Sequence, residues 1–575
     1  MSTSHTHWGR RSFLKKAGLA LPMLLGAPAL LRAEDGLMPV PVPAPLTVPA
    51  ELAADLVIIG GGVGGCAAAL AAARNHLNVI LTEETDWIGG QFTQQAVPPD
   101  ENRWIETCGG TRSYLAFRTA IRKYYRNNYP LTRAARALPY LNPGNCWVSA
   151  LGHEPRVALA VLYGLLAPYL GNGRVRILLK HKAMGADTDH DRVQAVRVVG
   201  LETGREIILR APYFADATEL GDLLPLTGTE YVVGAEAKSD TQEEHALPEA
   251  QPECLQPFTM SFALEYLAGE NHVIDKPPGY LFWRDFVPQN QTGEKFPLFT
   301  FNDPQAARVG FDPAAKKGFW TYRRIADQAN FKTGFYRGDL SLVNWRHNDY
   351  TLGTLCDVSP DEASRQIENA RQQSLSLLYW LQTEALRPDG GTGWPGLLLR
   401  PDVVGTEDGL VKHPYIREGR RIQAEFTILE KHVSLEARMA DTGLVGTQAT
   451  AVQFADTVGI GSYTIDIHAT ARQPGFFLKT APFQIPLGAL LPRRMENLLP
   501  ACKNIGVTHI TNGCYRLHPV EWNIGETAGC LAAFCLAHHC PPRQVRADAT
   551  RLADFQARLT KDGVPLAWPA DLERD

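Results

Sequence analysis

None of the ten cysteines, at positions 66, 108, 146, 254, 356, 502, 514, 530, 535 and 540, stands in a C-x-x-C pair. That excludes zinc ribbons, the common iron–sulfur arrangements, a thioredoxin-like dithiol and a C-x-x-C-H haem attachment site. A polybasic run is missing too, and 57 Lys and Arg against 61 Asp and Glu leave a formal net charge of −4. Without concentrated positive charge, neither nucleic acid nor an anionic membrane is an expected partner. No internal repeat is visible, which argues against solenoids and propellers. The remaining composition, 45% hydrophobic and 21% charged residues, is that of an ordinary globular protein. At 575 residues the chain exceeds what one core accommodates, and about two to four domains are expected.

What is present is concentrated in DLVIIGGGVGGCAAALAAARNHLNVILTEE, Asp55 to Glu84. The apolar run Leu56 to Ile59 predicts a buried parallel strand, and Gly60, Gly62 and Gly65 follow it in G-x-G-x-x-G spacing. Gly60 permits a tight turn, Gly62 lets the backbone approach a pyrophosphate, and Gly65 lets the next helix pack closely on the sheet. The free N–H groups and positive dipole end of that helix then face the phosphates. Val79 to Leu81 predicts a second strand, and Glu83 just beyond it places a carboxylate where an adenosine ribose hydroxyl would lie. Strand, turn, helix, strand and acid in register are far more specific than the glycine spacing alone. No second complete motif follows a strand, so a second nucleotide-binding domain is not expected.

Upstream, Gly9-Arg10-Arg11-Ser12-Phe13-Leu14-Lys15-Lys16 is a twin-arginine pattern, followed by an apolar stretch from Ala17 to Leu31 and a small-residue cleavage point near Ala33. With about fifteen residues, interrupted by Gly and Pro, that stretch is too short to span a bilayer comfortably. Residues 1–33 are therefore expected to be a twin-arginine signal peptide. The translocase is then a partner, and the location periplasmic or secreted. Cleavage removes five basic residues and no acid, so the mature charge becomes 52 − 61 = −9. Because this route carries folded proteins, a dinucleotide can be loaded before export. Disulfides are permitted afterwards, although free buried cysteines remain the expectation. Residues 34–50, with MPVPVPAPLTVP at Met38 to Pro49, read as an extended polyproline linker.

Further on, helices are predicted at Thr111 to Tyr125, Glu154 to Tyr169, Pro360 to Leu386 and Ile422 to Arg438, and strands at Val175 to Leu179, Val193 to Val199 and Glu206 to Leu209. Between about Tyr231 and Leu435 the chain becomes rich in Trp, Tyr, Pro and charge. The fold class read from this pattern is α/β. A discontinuous Rossmann-like domain occupies 51–230 and 481–540, an inserted α+β substrate or cap domain 231–480, and a tail 541–575.

Three further stretches bear on the cofactor: Trp87-Ile88-Gly89-Gly90-Gln91, Asp216-Ala217-Thr218-Glu219-Leu220-Gly221-Asp222, and Gly525-Glu526-Thr527-Ala528-Gly529 with the apolar helix after it. With these, the chain resembles the FAD-dependent oxidoreductase family, glutathione-reductase-like flavoproteins with kinship to the fumarate reductase and succinate dehydrogenase flavoproteins. The resemblance covers roughly 55–228 and 483–536. It implies that Gly60, Gly62, Gly64 and Gly65 hold the FAD pyrophosphate and that Glu83, with Glu84 beside it, binds the adenosine ribose. Gly89, Gly90 and Gln91 would lie along the flavin, Lys182 and Ala183 would meet the adenine, and Ala217, Thr218 and Asp222 would pass beneath the pyrophosphate. A helix beginning near Gly525, with Asn523 and Ile524 just before it, would point its N-terminus at the flavin pyrimidine and stabilise charge that develops there. Where the fumarate-reductase type carries a histidine bonded covalently to flavin, this chain has Gly90 and no nearby His, so non-covalent FAD is expected. Cys108 reads as a packed thiol, with a covalent or redox role as the alternative.

Hydride transfer to flavin needs a substrate C–H held over the ring and usually a base for an adjoining O–H or N–H. The segment Thr508 to Asn523, read as a loop, carries His509, Arg516, His518 and Glu521, and chain order places it beside the flavin. His518 is the first candidate for the base and His509 the second; Arg516 is the candidate clamp for an anion or carbonyl, and Glu521 an orienting acid. No metal is expected, since the histidine spacing fits no helical H-x-x-x-H pair. In the middle domain, Asn344 to Tyr350 and Tyr415 to Arg421 are polar and aromatic clusters suited to a cleft, and Arg417 and Arg420 would share a face if helical. The expectation is an exported FAD-dependent dehydrogenase or oxidase. It takes hydride from a small organic substrate and passes electrons to a quinone, cytochrome or oxygen. The rivals are a fumarate-type reductase fed by another protein and a flavin electron carrier without small-molecule chemistry.

Overall fold

Leu56, Val57, Ile58 and Ile59 are at most 2% exposed, as a strand covered on both faces requires. The computed structural model describes residues 51–288, 296–302, 307 and 309–573; the expected signal peptide and linker lie outside them. Strand β1 is Glu51–Ala53, β2 Leu56–Ile59, β3 Val79–Glu83, β4 Val175–Leu179, β5 His181–Asp189, β6 Arg192–Gly200, β7 Glu206–Arg210 and β8 Tyr213–Asp216. Four of these join a strand from far down the chain, Leu498–Pro500, in a five-stranded sheet that is parallel throughout. Its order is 498–500, β8, β2, β3, β4. The sequence around 500 therefore returns beside Asp216, and Ala501 N–H donates to the Asp216 carbonyl at 2.8 Å.

Helix α1, Val63–Arg74, crosses from β2 to β3, as a parallel connection must. Its sequence, VGGCAAALAAAR, is almost all small residues, and the reason is its neighbour. A Cβ on Gly525 would lie 2.0 Å from the Gly64 carbonyl oxygen, and one on Gly529 2.4 Å from that of Ala68. A second sheet, β1-β7-β6-β5, is antiparallel except where β1 meets β7. Lys182 and Ala183 stand on β5, opposite Val199 and Val198. Helices α2, Arg112–Asn128, and α3, Pro155–Gly171, fall close to their predicted spans.

The middle of the chain contains an antiparallel sheet of Arg324–Ala326, Leu340–Val343, Phe262–Tyr266 and Leu397–Leu399 in that order. Helix α4, Pro360–Thr383, is tied to this region by polar side chains: Ser374 Oγ donates to the Met260 carbonyl at 2.6 Å, and the Gln373 amide to the carbonyls of His347 and Asp349. Asp349–Tyr350 pairs in turn with Phe258–Thr259. Among the described residues no helix is long and apolar enough to cross a membrane, and all ten cysteines are free thiols, nine of them buried.

Three local expectations need correction. The predicted helix Ile422 to Arg438 is instead a strand pair, Arg421–Ile422 with Tyr231–Val232, an extended stretch, and short helical segments at Glu430–Val433 and Leu435–Thr442. Buried Ile422, Ala424 and Ile428 alternate with polar neighbours at period two, which is a strand signature. Arg417 and Arg420 are accordingly not on a helix and share no face. The segment read as a loop up to Asn523 contains helix α5, His509–Tyr515, and the start of α6, His518–His538. Thr508 caps α5 through its hydroxyl, and Pro519 occupies the first turn of α6.

Candidate active site

The glycine turn is built by close approach. Gly60 has φ of 100°, and a Cβ there would lie 2.3 Å from the Ala217 carbonyl oxygen. A Cβ on Gly64 would meet the Ala501 carbonyl at 1.7 Å and one on Gly65 that of Gly60 at 2.1 Å. Gly62 differs, because its nearest neighbour in that direction is a flexible side-chain atom, Glu219 Oε1, at 3.1 Å. Three glycines thus serve protein packing, while Gly62 leaves room for a ligand at the N-terminus of α1. Glu83 is 4% exposed. Its Oε2 accepts the Gly61 N–H at 3.0 Å, and its Oε1 accepts Thr85 N–H and the Gln94 amide. Burial raises its pKa, against these bonds. Glu84 pairs with Lys182 at 3.1 Å, and Asp222 with Arg420 at 3.1 Å. Beneath the turn, the Asp216 carboxylate holds the backbone N–H and hydroxyl of Thr218, while burial pushes its pKa up to about 7.

The loop after β3 rests on this turn. Gly89 N–H donates to the Gly61 carbonyl at 2.7 Å, and a Cβ on Gly90 would come within 2.9 Å of Gly62 Cα. The Gln91 amide donates to the Arg516 carbonyl at 3.2 Å and to Glu521. Glu521 therefore sits at the glycine turn, not beside a histidine: its Oε1 accepts Gly64 N–H at 3.2 Å and the Cys502 thiol at 3.2 Å. Lys503 pairs with Glu219 and stands 3.7 Å from Glu521. Ligand atoms of Glu219, Cys502 and Glu521 lie within 4.8 Å of one another, a spacing that suits a cation, and the Lys503 ammonium takes that place. Lys503 and Cys502 were invisible to motif reading.

The α5–α6 junction opens onto a buried polar cluster. His518 Nδ1 accepts the Asp100 N–H at 3.1 Å, so its proton is on Nε2, which is buried without a partner. Its ring lies 4.9 Å from that of Phe92, and burial lowers its pKa to about 3. The expected base at His518 is thus a neutral imidazole that presents N–H. Asp100 pairs with both terminal nitrogens of Arg323, at 2.9 and 3.0 Å. Arg516 donates to Tyr415 Oη at 3.2 Å and to Asp466 Oδ2 at 3.2 Å. His468 lies between two carboxylates, with Nδ1 2.6 Å from Asp349 Oδ2 and Nε2 3.5 Å from Asp466 Oδ2. Asp349 also binds Arg417 at 2.9 Å and Thr259 at 2.7 Å. Burial and Arg417 oppose protonation of His468, yet Asp466 and Asp349 outweigh them and its pKa is raised. Burial favours the neutral acid at Asp349, but Arg417 and His468 hold it at about 2.

His509 is not part of this cluster. Its Nδ1 faces Glu418 at 2.8 Å and its Nε2 faces Gln473 at 3.1 Å, in a separate buried network that includes Arg421. Asn523 and Ile524 were expected just before a helix; they lie inside α6, where the Asn523 amide binds the Val458 carbonyl and Thr527. Asp100, Arg323, Asp349, Asp466 and His468 were not found by sequence reading, although Asp349 and Arg417 fall within the two polar clusters it singled out.

Buried polar atoms without partners occur at both places: Gln91 Oε1, both amide atoms of Gln95 and Glu219 Oε1 at the glycine turn and its loop, and Arg323 Nε, Arg516 Nε, Asp466 Oδ1 and His518 Nε2 in the polar cluster. Unpartnered buried groups are costly and mark a place where ligand atoms complete the bonding. The glycine turn, the open face of Gly62, the carboxylate of Glu83 and these orphaned groups fit a dinucleotide whose ring end reaches the loop at Gln91. Fold and site together define a Rossmann-type dinucleotide-binding protein with a buried polar cluster at the α5–α6 junction.

The chain belongs to the FAD dependent oxidoreductase family, whose sequence profile matches residues 55–559. No curated protein is significantly similar to the sequence. Among solved structures, it is similar to E. coli quinol fumarate reductase, with 10% identity over 89% of this chain and 74% of the other, at a TM-score of 0.31. It is also similar to the myxobacterial chondrochloren halogenase CndH, with 16% identity over 38% of this chain and 45% of the other, at 0.22. The third is L-proline dehydrogenase from P. horikoshii, with 18% identity over 35% and 30%, at 0.16. The chain spans less than half the length of the latter two.

Proposed function

We propose that this protein is an exported FAD-dependent dehydrogenase or oxidase that removes hydride from a small organic substrate held in the chamber of Arg323, Asp466, His468, Arg516 and His518. Bound FAD supplies the hydride acceptor. The observation that carries this reading is the set of orphaned groups, three N–H donors and one carboxylate oxygen, of which that on Arg516 belongs to a residue bonded through Gln91 to Glu521 at the glycine turn. Arg516 Nε, Arg323 Nε and His518 Nε2–H bind and orient substrate oxygens. Asp466 Oδ1 accepts a substrate O–H or N–H. His468, bonded to both acids and with a side chain 22% exposed, connects that carboxylate with solvent and carries the proton. A domain at 231–480 frames the chamber, on a nucleotide domain formed by 51–230 and 481–540, with 541–575 as a tail. FAD is held non-covalently, and Gly60 to Gly65, Glu83 and Gln91 are its principal contacts.

Export rests on Arg10 and Arg11 and the apolar stretch after them. Free nicotinamide nucleotides are scarce outside the cytoplasm, so a quinone, cytochrome or oxygen reoxidises the flavin. The test is anaerobic mixing of the purified holoprotein with panels of small alcohols, sugars and amines. Bleaching of the flavin absorbance by one of them supports the reading; a spectrum that responds only to quinols or protein partners rejects it.

A further inference from the structure

The positive end of α1 is already faced by acids. The position a Cβ would take on Gly62 is 3.1 Å from Glu219 Oε1 and 3.7 Å from Glu521 Oε1, and that on Gly90 is 2.9 Å from Glu219 Oε1. Glu521 accepts the Gly64 N–H, in the first turn of α1, where helix geometry favours a phosphate oxygen. Every element around Glu521 is accounted for. The turn into α1 brings the Gly64 N–H and the Cys66 thiol, which donates to the Gly61 carbonyl. The loop after residue 500 brings Cys502 and Lys503, the loop after β8 brings Glu219, and the loop after β3 brings the Gln91 amide. The charges nearest Glu521 are its own carboxylate, that of Glu219 and the Lys503 ammonium, with the Glu83 carboxylate on the Gly61 N–H of the same turn, and both thiols are neutral because burial raises their pKa values. Lys503 is committed to Glu219, whose other oxygen is buried without a partner.

We propose that the cradle seats the FAD pyrophosphate with uptake of one proton, taken by Glu521, which otherwise places a second negative charge at the helix end that receives the phosphates. Three features single out Glu521. It is 0% exposed; its contact with Lys503 is the longer of the two; and it holds the backbone N–H that a phosphate oxygen would take. Burial, with Glu219 adding to it, raises the Glu521 pKa against Lys503, the Cys502 thiol and the Gly64 N–H. Once protonated, its O–H can donate to the incoming anion and Gly64 N–H is released to it.

The test removes FAD from the holoprotein and titrates it back, following quenching of flavin fluorescence between about pH 6 and 9, with calorimetry in two buffers of different ionisation heat to count protons. Uptake near one proton, with Kd weakening about tenfold per pH unit, is the expected result. Glu521→Gln should abolish the uptake, flatten the pH dependence and tighten FAD binding at least about tenfold at pH 8. Uptake near zero in the wild type, or uptake that persists in Glu521→Gln, overturns the proposal. If Glu521→Gln does not fold, the proton count on the wild type decides alone.

Discussion

Arg323 shows how tightly single residues are committed at this site. Its guanidinium satisfies a carboxylate that is 6% exposed, and Asp100 in turn presents the N–H that orients His518. Removing one partner of a buried pair strands the other, at a cost of about 3–5 kcal/mol. Arg323→Ala should therefore lower stability by that amount, read from urea unfolding, and loosen His518 with it; a change within about 0.5 kcal/mol would contradict the pairing. Asp466→Asn keeps the shape of the side chain but removes its charge and turns one of its two acceptor oxygens, the free Oδ1, into a donor, since Arg516 and His468 hold the oxygen on the other side. It should retain FAD while slowing flavin reduction by at least about a hundredfold.

The pH dependence follows at the same scale. His468 has a raised pKa, so its stabilisation is complete below the ordinary histidine value of about 6.5 and is lost as pH rises through the higher folded value. Asp349 is held at about 2, so its contribution is present above the ordinary value of about 4 and is lost as pH falls towards 2. Unfolding midpoints should thus be highest between these limits, and His468→Asn should remove the alkaline decline. His518 is held neutral by burial down to about 3 while the unfolded side chain takes a proton near 6.5, so it costs stability as pH falls below about 6.5, and His518→Ala should flatten the acidic side of the profile.

Among elements, the β2–α1–β3 unit was legible because every signal in it is local: an apolar run, glycines at fixed offsets and an acid at a strand end. The crossing of α1 with α6 was not, although its cause is simple. Gly525 and Gly529 are interior residues of α6 that accept the backbone of α1, whereas glycine next to a polar segment resembles a helix start. The true start is marked by Pro519, in a position where the missing N–H costs nothing. Gly525→Ala should force the two helices apart, destabilise the protein by at least about 1–3 kcal/mol and weaken FAD binding by displacing Gly64. Unchanged FAD affinity and thermal midpoint would rule out the close crossing.

At the scale of the molecule, the chamber was the least legible part. Asp100, Arg323, Asp349, Arg417, Asp466 and Arg516 come from six separate segments, and no spacing in sequence reports that they converge. Only their residue types hinted at a cleft, near Asp349 and Arg417. The parallel return of 498–500 beside Asp216 was legible as a flavoprotein pattern, because it reunites two halves of a nucleotide domain. The proposed export belongs to this scale too. Replacing Arg10 and Arg11 by Lys should leave FAD-loaded protein in the cytoplasm, measured by fractionation and flavin content; unaltered export would remove the twin-arginine assignment.

The measurement that bears most directly on the whole account is single-turnover reduction of the bound flavin by a small alcohol, sugar or amine carrying deuterium on the carbon that is oxidised. Bleaching of the flavin in one exponential phase that is slower with the deuterated substrate, and far slower in Asp466→Asn than in the wild type, is the expected result. Flavin that no organic substrate reduces, or a rate indifferent to both the label and Asp466, would contradict hydride transfer from this chamber.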